Sequence, residues 1–332
     1  MEKRIIPIEK EQDVSLVRQE ANEIAKAMGF DDFSSAQVAL GVSEIAQNVI
    51  RYAVRGQAFI YTKVKNRVLR IEIVDEGQGF ENLRQAKKEG FSSSKSSLGL
   101  GLSVAERAFD FFAIDSITGK GASVILEKYL PLNPEIITYG SASMKDERYL
   151  INGDEFFIKE YDGDKVLLAV IDGMGQGEQA FELSNFVLKI LKNAYRLPLD
   201  QLIRKCDQAL RDSNMDGGVV IALARISGGD KLEYLGIGDT HSYLYNDEIT
   251  FIKNMDGRLG EYQLPTLKVE EYTLKGLTNV ILCTDGINTH IAEELLDSDT
   301  HPQYLANYIF NTYHRLHGDA TVLIAQYQAG QL

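Results

Sequence analysis

The chain has 332 residues and a formal net charge of −13 at pH 7. Because it contains no Lys- or Arg-rich run, this acidity argues against nucleic acid or an anionic membrane as the main partner. Hydrophobic residues make up 44% of the sequence, enough for a sizeable core, and no apolar stretch is long enough to cross a bilayer. At about 150 residues per domain, the length favours two domains.

Cysteine usage and the start of the chain indicate a compartment. Cys206 and Cys283 lie far apart without metal-ligand spacing, which fits a reducing environment and no disulfides. The first ten residues contain no long apolar segment, so we expect neither a signal peptide nor a membrane anchor. These features predict an acidic, soluble protein of the cytoplasm.

The first 53 residues predict two helices. Apolar residues recur at helical spacing in Glu9–Met28, and a second helix follows a cap at Phe33–Ser35 and runs to about Ala53. The expected buried positions are Val14, Val17, Ala21, Ile24 and Ala25 in the first helix and Val38, Val42, Ile45, Val49 and Tyr52 in the second. On the second helix, Glu44 and Asn48 lie one turn apart in an otherwise apolar sequence. This pair fits either a solvated helix face or a face that meets a ligand.

Two alternating segments, Phe59–Val64 and Val68–Val74, predict a pair of strands joined by a turn. The second of them ends in the sequence D-E-G-Q-G at residues 75–79. A further strand is predicted at Ala122–Tyr129. An acidic residue followed by alternating glycines at a strand end can present a carboxylate and let the backbone approach a ligand.

A second glycine motif, L-G-L-G-L, follows a Ser- and Lys-rich loop. Gly99 and Gly101 stand at the start of a predicted helix that ends near Phe109, where backbone amides and the helix dipole can hold a phosphate. The motif is not a dinucleotide-binding fingerprint, because no strand precedes it and Val104 occupies the third glycine position. By itself it is weak evidence for a phosphate site.

The order of these motifs, E-x-x-x-N on a helix, D-x-G-x-G after a strand and G-x-G at a helix start, resembles the GHKL ATPase fold. The likeness covers residues 1–130 and is greatest to RsbT-like serine kinases of bacterial partner-switching systems. It implies an α/β two-layer sandwich that binds ATP with Mg²⁺. Asn48 would bind Mg²⁺, Glu44 would be a catalytic group near the γ-phosphate, and Asp75 would accept the adenine amino group. The pocket and its lid would be shaped by Gly77, Gly79, Gly99 and Gly101.

Two closely spaced prolines, Pro131 and Pro134, follow this region. Because prolines interrupt regular structure, they predict a linker at residues 131–139. The first domain would then occupy residues 1–130 and the second residues 140–332.

The second domain combines strand-like runs with two predicted helices, about Gln179–Tyr195 and Asp200–Ser213. Four of its acidic residues stand at the ends of apolar runs, namely Asp154, Asp172, Asp285 and Asp319. Carboxylates without His or Cys neighbours suit Mg²⁺ or Mn²⁺, and two such ions can clamp a phosphate. For any one of the four, an ordinary Asp turn is the alternative.

The motifs G-D-E-F-F, V-I-D-G-M-G-Q-G, T-D-G-I and D-A-T-V, in this order, resemble the SpoIIE/RsbX branch of PPM-type serine/threonine phosphatases over residues 138–328. The resemblance implies an α-β-β-α sandwich, so that the whole chain is an α+β protein of two domains. It also implies two Mn²⁺ or Mg²⁺ ions that activate water for direct attack on phosphoserine or phosphothreonine. Asp172 would be the catalytic acid that bridges the ions. The Gly173 carbonyl and Asp154 would bind one ion, and Asp285 and Asp319 would bind the other.

The sequence departs from the family pattern D-D-x-T at one position, where Gly318 precedes Asp319. Either Asp319 reaches the second ion from a shifted loop, or that ligand is missing and one ion binds weakly. The family also often has G-N where this chain has Gly238 and Asp239.

Two hypotheses about function follow from these resemblances. The first is a protein phosphatase with an ATP-binding neighbour that acts as a kinase or a nucleotide sensor. Its substrates would be phosphorylated STAS-domain partners of a bacterial stress or anti-sigma pathway. The second is a non-catalytic regulator, a pseudophosphatase that docks such partners through the GHKL domain. A homodimer through the first domain is a further expectation by analogy.

Overall fold

The computed structural model describes residues 3–53, 55–63, 67–79, 101–130, 136–246, 248–261, 264–288 and 299–330. The chain forms two compact units, one of Met1–Pro131 with Tyr161–Gly163 and one of Leu132–Glu160 with Asp164–Leu332. Gly99, Pro131 and Pro134, which the sequence analysis singled out, lie outside the described residues. None of the described helices is both long and apolar enough to cross a membrane.

In its described residues, the first unit is a two-layer sandwich of one antiparallel sheet and three helices. The strand order is β1-β2-β3-β5-β4, with every neighbouring pair antiparallel. Apolar residues of the helices, such as Val17 and Val42, pack with Ile71 of the sheet in one core. The described elements are β1 (Arg4–Ile8), α1 (Glu11–Met28), α2 (Asp32–Tyr52), β2 (Gly56–Lys63), β3 (Val68–Asp75), α3 (Gly101–Ala108), β4 (Phe111–Ile117) and β5 (Gly121–Tyr129).

The helical periodicity predicted the buried face of α1 correctly, since all five expected positions are buried. On α2 four of the five are buried, but the prediction for Tyr52 is wrong, because this side chain is exposed at the end of the helix. The cap is also different from the prediction. Asp31 caps α2, and its carboxylate accepts a hydrogen bond from the backbone N–H of Ser34 at 2.7 Å.

Two strands of this sheet, β1 and β4, were not predicted from the sequence. β1 contains Pro7, which disfavours a strand assignment but is tolerated at a sheet edge, where β1 lies. β4 lies at the opposite edge, and most of its side chains are half-buried. Its period-2 signal is therefore weak, because neither face is clearly buried or exposed.

The second unit contains two five-stranded antiparallel sheets with the strand orders β13-β10-β9-β8-β7 and β12-β11-β14-β15-β6. Its helices begin and end within a residue of the predicted limits where helices were predicted. The described elements are β6 (Ile137–Met144), β7 (Asp154–Tyr161), β8 (Lys165–Gly173), α4 (Glu178–Ala194), α5 (Leu199–Asp212), β9 (Val219–Ser227), β10 (Lys231–Ile237), β11 (His241–Tyr245), β12 (Ile249–Ile252), β13 (Glu270–Thr273), β14 (Leu277–Cys283), α6 (Pro302–Tyr313) and β15 (Ala320–Gln328).

The two sheets pack face to face between layers of helices. On β14, Val280 and Leu282 point into the core between the sheets, whereas Ile281 and Cys283 point towards α6. On β8, Leu168 belongs to the core between the sheets, and α4 packs against this strand. Because successive residues of a strand face opposite sides, each sheet is buried on both faces. The architecture is the expected α-β-β-α sandwich, and the chain as a whole is an α+β protein.

Candidate functional site

The predicted ligand face of α2 lies against the start of α3. Glu44 and Asn48 are half-buried and one helical turn apart, on either side of the buried Ile45. A Cβ atom added to Gly101, the first residue of α3, would lie only 2.9 Å from Glu44 Oε2 and 3.8 Å from Asn48 Nδ2. Glycine at this position therefore allows the helix start to approach both polar side chains. Neither of them has a hydrogen-bond partner among the described residues.

The D-x-G-x-G segment lies near the C-terminal end of α2. Asp75 Oδ1 accepts hydrogen bonds from the backbone N–H groups of Gly77 at 2.8 Å and Ala122 at 3.3 Å. These bonds fix the carboxylate and leave its second oxygen without a donor from the described residues. A Cβ at Gly77 would lie 2.8 Å from the carbonyl oxygen of Tyr52, one turn beyond Asn48. Glu44, Asn48, Asp75, Gly77 and Gly101 thus meet along the C-terminal half of α2.

Gly79 lies two residues beyond Gly77, against the end of β4 and the carbonyl of Gly121. It has a positive φ of 66°, and an added Cβ would meet the carbonyl oxygen of Ile117 at 2.7 Å. The structure therefore supports Gly79 as a turn residue and places it beside β4.

In the second unit, the four predicted acids lie at the ends of four strands. Asp154 begins β7, Asp172 lies next to the last residue of β8, Asp285 follows β14, and Asp319 precedes β15. Asp154 is only 4% exposed. Its Oδ2 accepts a hydrogen bond from Thr284 Oγ1 at 2.6 Å, while its buried Oδ1 has no hydrogen-bond partner among the described residues.

The acids raise one another's pKa values. Burial raises the pKa of Asp154 to about 7 against the hydrogen bonds of two threonines, and the charges of Asp319 and Asp285 add to the rise. Burial also raises the pKa of Asp172 well above its ordinary value, and the negative charges of Asp154 and Asp285 raise it further. The pKa of Asp285 is raised as well, first by burial and then by the charge of Asp239, while the positive charge of Arg315 lowers it. These carboxylates are thus close enough to repel one another in a partly desolvated site.

The main chain at Gly173 is held by close packing against α4. A Cβ added to Gly173 would lie 2.0 Å from the carbonyl oxygen of Ala180, so this position accommodates only glycine. The backbone N–H of Gly173 donates to the carbonyl of Gly153 at 3.3 Å. The chain just before Asp154 is therefore tied to the end of β8, directly beside Asp172.

Asp319 has a different environment from the other three acids. Its Oδ1 accepts a hydrogen bond from the backbone N–H of Asp146, and its Oδ2 accepts one from the backbone N–H of Gly153, both at 2.8 Å. At the preceding Gly318, φ is +121° and no atom of the described residues lies within 4 Å of an added Cβ. None of the described residues therefore occupies the position where the family pattern has an acid side chain. Asp319 holds two neighbouring loop segments together.

Three residues that shape this site were not predicted from the sequence. Thr284 donates through its side chain to Asp154, and its backbone and side chain also form hydrogen bonds with Thr321 at the start of β15. Because Thr284 is the first residue of the T-D-G-I motif, the sequence contained a signal for it. Asp239, noted only as a departure, is close enough to raise the pKa of Asp285. Asp146 gave no signal, because its link to Gly318, whose N–H donates to Asp146 Oδ2 at 2.8 Å, spans 172 residues.

The donor set of this site fits hard divalent ions. Asp154, Asp172 and Asp285 supply carboxylate oxygens, which Mg²⁺ and Mn²⁺ prefer. The orphaned Oδ1 of Asp154 is a buried acceptor that a cation would satisfy. Among the described residues, no three His, Cys, Asp or Glu side chains stand ready as a complete metal site. The fit therefore depends on the type, burial and mutual repulsion of the donors.

Comparison with known proteins agrees with this description. The model of the family described as histidine kinase-like ATPase domain matches residues 6–128, and that of Stage II sporulation protein E (SpoIIE) matches residues 162–328. The serine/threonine-protein kinase RsbT of Bacillus subtilis is 34% identical over 128 residues, which are 38% of this chain and 95% of RsbT.

The second unit has relatives of its own. The phosphoserine phosphatase RsbX of Bacillus subtilis is 26% identical over 145 residues, which are 42% of this chain and 68% of RsbX. A crystal structure of RsbX in complex with magnesium superimposes with a TM-score of 0.53 at 23% identity, covering 60% of this chain and 98% of that one, which shows a shared fold. The chain therefore belongs to the SpoIIE phosphatase family and carries, ahead of its PP2C-type phosphatase domain, a histidine kinase-like ATPase domain of the RsbT kind.

Proposed function

We propose that this protein is a metal-dependent protein serine/threonine phosphatase of a bacterial partner-switching pathway, with a nucleotide-binding domain at residues 1–130 and the phosphatase domain at 140–332. The observation that carries the proposal is the buried acid cluster, in which Asp154 Oδ1 has no hydrogen-bond partner in the described part of the chain and the pKa of Asp172 is raised well above its ordinary value. A desolvated group of carboxylates is costly unless cations or protons neutralise it.

Asp154, Asp172, Asp285 and the carbonyl of Gly173 are the ligands that we assign to Mn²⁺ or Mg²⁺. Such ions supply charge that polarises a phosphate ester and lowers the pKa of bound water. Asp319 was also expected to bind an ion, but this role stays a prediction, because each of its oxygens already accepts a backbone N–H.

The chain's own residues position this site. Thr284 donates a hydrogen bond to Asp154 Oδ2, which leaves Oδ1 as the oxygen of this carboxylate that can bind a metal ion. Asp154 begins β7 and Thr284 follows β14, so their hydrogen bond joins the two sheets next to the acids. Thr284 Oγ1 also accepts the backbone N–H of Thr321 at 2.9 Å. This network fixes the donors before substrate arrives, and such preorganisation reduces the free-energy cost of binding charge.

For the first domain we propose binding of ATP with Mg²⁺ along the C-terminal half of α2. Asn48 would hold the ion, Glu44 would face the γ-phosphate, and Asp75 would use its second oxygen for the adenine amino group. Gly77, Gly79, Gly99 and Gly101 would shape the pocket. In support of this, Glu44 and Asn48 face the start of α3, where a helix N-terminus favours anions.

The substrates that we propose are phosphoserine- or phosphothreonine-bearing STAS-type partners of a stress or sigma-factor pathway, in the cytoplasm. Two relatives, the serine/threonine-protein kinase RsbT and the phosphoserine phosphatase RsbX, have opposite activities, which supports a substrate that is phosphorylated and dephosphorylated in turn. A homodimer through the first domain remains part of this proposal.

A specific observation favours a second candidate function. Gly318 leaves open space where the family has an acid, and Asp319 is engaged with backbone N–H groups. If the second ion needs that acid, the protein is a non-catalytic regulator that docks STAS or anti-sigma partners through its first domain.

Hydrolysis of p-nitrophenyl phosphate tests the choice. Wild type, Asp172→Ala and the control Asp212→Ala, whose carboxylate is exposed on α5, are assayed with Mn²⁺ and then with EDTA. We expect turnover with Mn²⁺ in wild type and control, and its loss in Asp172→Ala and in EDTA. Equal turnover in Asp172→Ala would show that the site is wrong. Absence of turnover together with absence of Mn²⁺ binding by calorimetry would favour the regulator.

A further inference from the structure

Two loops that border the acid cluster carry unusual apolar side chains. The 145–153 loop joins β6 to β7, and the 314–319 loop joins α6 to β15. Leu150 on the first is 94% exposed and Leu316 on the second is 86% exposed, the two highest values among the large apolar side chains of the described residues. Ile151, next to Leu150, and Met144, the last residue of β6, are exposed as well.

The two loops are fastened to each other. Gly318 donates its N–H to Asp146 Oδ2, and Asp319 accepts the N–H groups of Asp146 and Gly153. The guanidinium of Arg148 donates hydrogen bonds to both oxygens of the Asp146 carboxylate, so the base of the 145–153 loop is fixed as well. The exposed leucines are therefore presented from a rigid base, and their ordering on binding costs little conformational entropy.

Chain length limits how far these side chains lie from the acids. Leu150 is four residues from Asp154 and Leu316 two residues from Gly318. At 3.8 Å per residue, their Cα atoms lie within about 15 Å and about 8 Å of those positions. A segment of five to six extended residues spans such distances, so one bound peptide can reach both the acids and the leucines.

The same border carries a positive charge. Arg315 is exposed, its backbone N–H donates to the carbonyl of Gly286 at 2.8 Å, and no carboxylate of the described residues forms an ion pair with it. The border thus combines apolar side chains with an available guanidinium beside a site for a phosphate ester. A guanidinium recognises phosphate through charge-assisted hydrogen bonds.

We propose that Met144, Leu150, Ile151, Leu316 and Arg315 form a docking rim for the phosphoprotein substrate, which presents apolar residues next to its phosphoserine or phosphothreonine. This inference rests on the proposed function and deepens it by naming the chemistry of the substrate segment. Isolated exposed leucines are common on protein surfaces, but several on two joined loops beside an acid site form a patch of the kind that marks interaction surfaces.

The test compares Leu150→Ser/Leu316→Ser with the control Tyr304→Ser, whose exposed ring lies at the opposite end of α6 from the 314–319 loop. The substrates are p-nitrophenyl phosphate and two phosphoserine peptides of equal length and charge. One peptide has leucines on both sides of the phosphoserine and the other has serines there. Both leucines are exposed, so the double variant is expected to fold normally.

We expect the double variant to lower kcat/KM for the leucine peptide about tenfold, through KM, because the apolar contact is lost. Turnover of p-nitrophenyl phosphate and of the serine peptide should be unchanged, and Tyr304→Ser should resemble wild type throughout. Equal effects on all three substrates, or no preference of wild type for the leucine peptide, would overturn the docking rim.

A binding measurement separates this inference from the proposed function. Fluorescence anisotropy of both labelled peptides is measured with the Asp172→Ala chain, with and without the two serine substitutions. Tighter binding of the leucine peptide that disappears in the triple variant supports the rim even if wild type hydrolyses nothing, in which case the phosphatase proposal alone fails. A wild-type dimer that the substitutions convert to a monomer in sedimentation velocity would instead assign the rim to a second copy and overturn it.

Discussion

Asp319 accepts the backbone N–H of Asp146 at 2.8 Å across a sequence separation of 173 residues. Together with the bond from Gly153, it makes this acid the junction between the segment that leads into Asp154 and the one that leads into β15. The carboxylate is thus part of the framework that positions the other acids. Asp319 can therefore have two roles, that of a metal ligand and that of a structural link, and these roles predict different effects of a substitution.

The substitution Asp319→Asn should weaken folding more than metal binding. The amide offers one acceptor oxygen in place of two, so one backbone N–H loses its partner, at a cost of about 1–3 kcal/mol in the free energy of unfolding. We expect a lower urea midpoint with an unchanged number of Mn²⁺ ions bound in calorimetry. Unchanged stability with the loss of one ion would identify Asp319 as the ligand that the sequence pattern predicted.

Restoring an acid at position 318 tests whether the open space there weakens a metal site. Any side chain at a φ of +121° strains the backbone, by about 1–2 kcal/mol, so Gly318→Asp and the uncharged control Gly318→Asn should be destabilised equally. We expect only Gly318→Asp to bind Mn²⁺ more tightly than wild type in calorimetric titrations. Equal affinities of the two variants would mean that the missing carboxylate does not limit metal binding.

The nucleotide site makes a prediction about one residue of α2. Asn48→Ala removes an amide oxygen that we assign to Mg²⁺, and we expect the affinity for Mg·ATP to fall about tenfold or more. Phosphatase turnover should not change. Isothermal titration with Mg·ATP measures the effect, and Gln47→Ala, which removes only a hydrogen bond to Glu11, is the matched control. Retained affinity in Asn48→Ala would remove Asn48 from the site.

The sequence predicted elements with strong periodicity and missed the links between distant segments. Val14, Val17 and Ala21 were correctly placed on the buried face of α1, because helical spacing is a local signal. The strand-end acids were likewise visible in the sequence, at the beginnings or ends of apolar runs. Asp146, by contrast, acquires its role only when folding brings it to Gly318, and no local pattern encodes such a contact. The exposed ring of Tyr52 was missed because a helix end no longer packs on the sheet.

An ion-pair network in the first unit allows a prediction about stability and pH. Arg70 on β3 lies opposite Glu127 on β5, and its guanidinium donates to the Glu127 carboxylate at 2.7 Å. Burial raises the pKa of Glu127, but hydrogen bonds from Arg70 and Lys63 outweigh it, so the pKa lies below its usual value. Arg70→Met removes the main partner of a buried carboxylate, and we expect a loss of about 1–3 kcal/mol in the free energy of unfolding at pH 7.

The sign of the pH dependence follows from the lowered pKa. The stability that a depressed carboxyl pKa contributes is present above the unfolded-state value, about 4.3 for Glu, and is lost as the pH falls through the folded-state value. Urea unfolding should therefore show a difference between wild type and Arg70→Met that is constant from pH 7 to about pH 5 and shrinks below about pH 4. Arg55→Met, which breaks an exposed pair with Glu76, is the control and should lower the free energy of unfolding far less than Arg70→Met, because solvent screens an exposed ion pair. An Arg70→Met effect as small as that of the control would show that Glu127 does not depend on this partner.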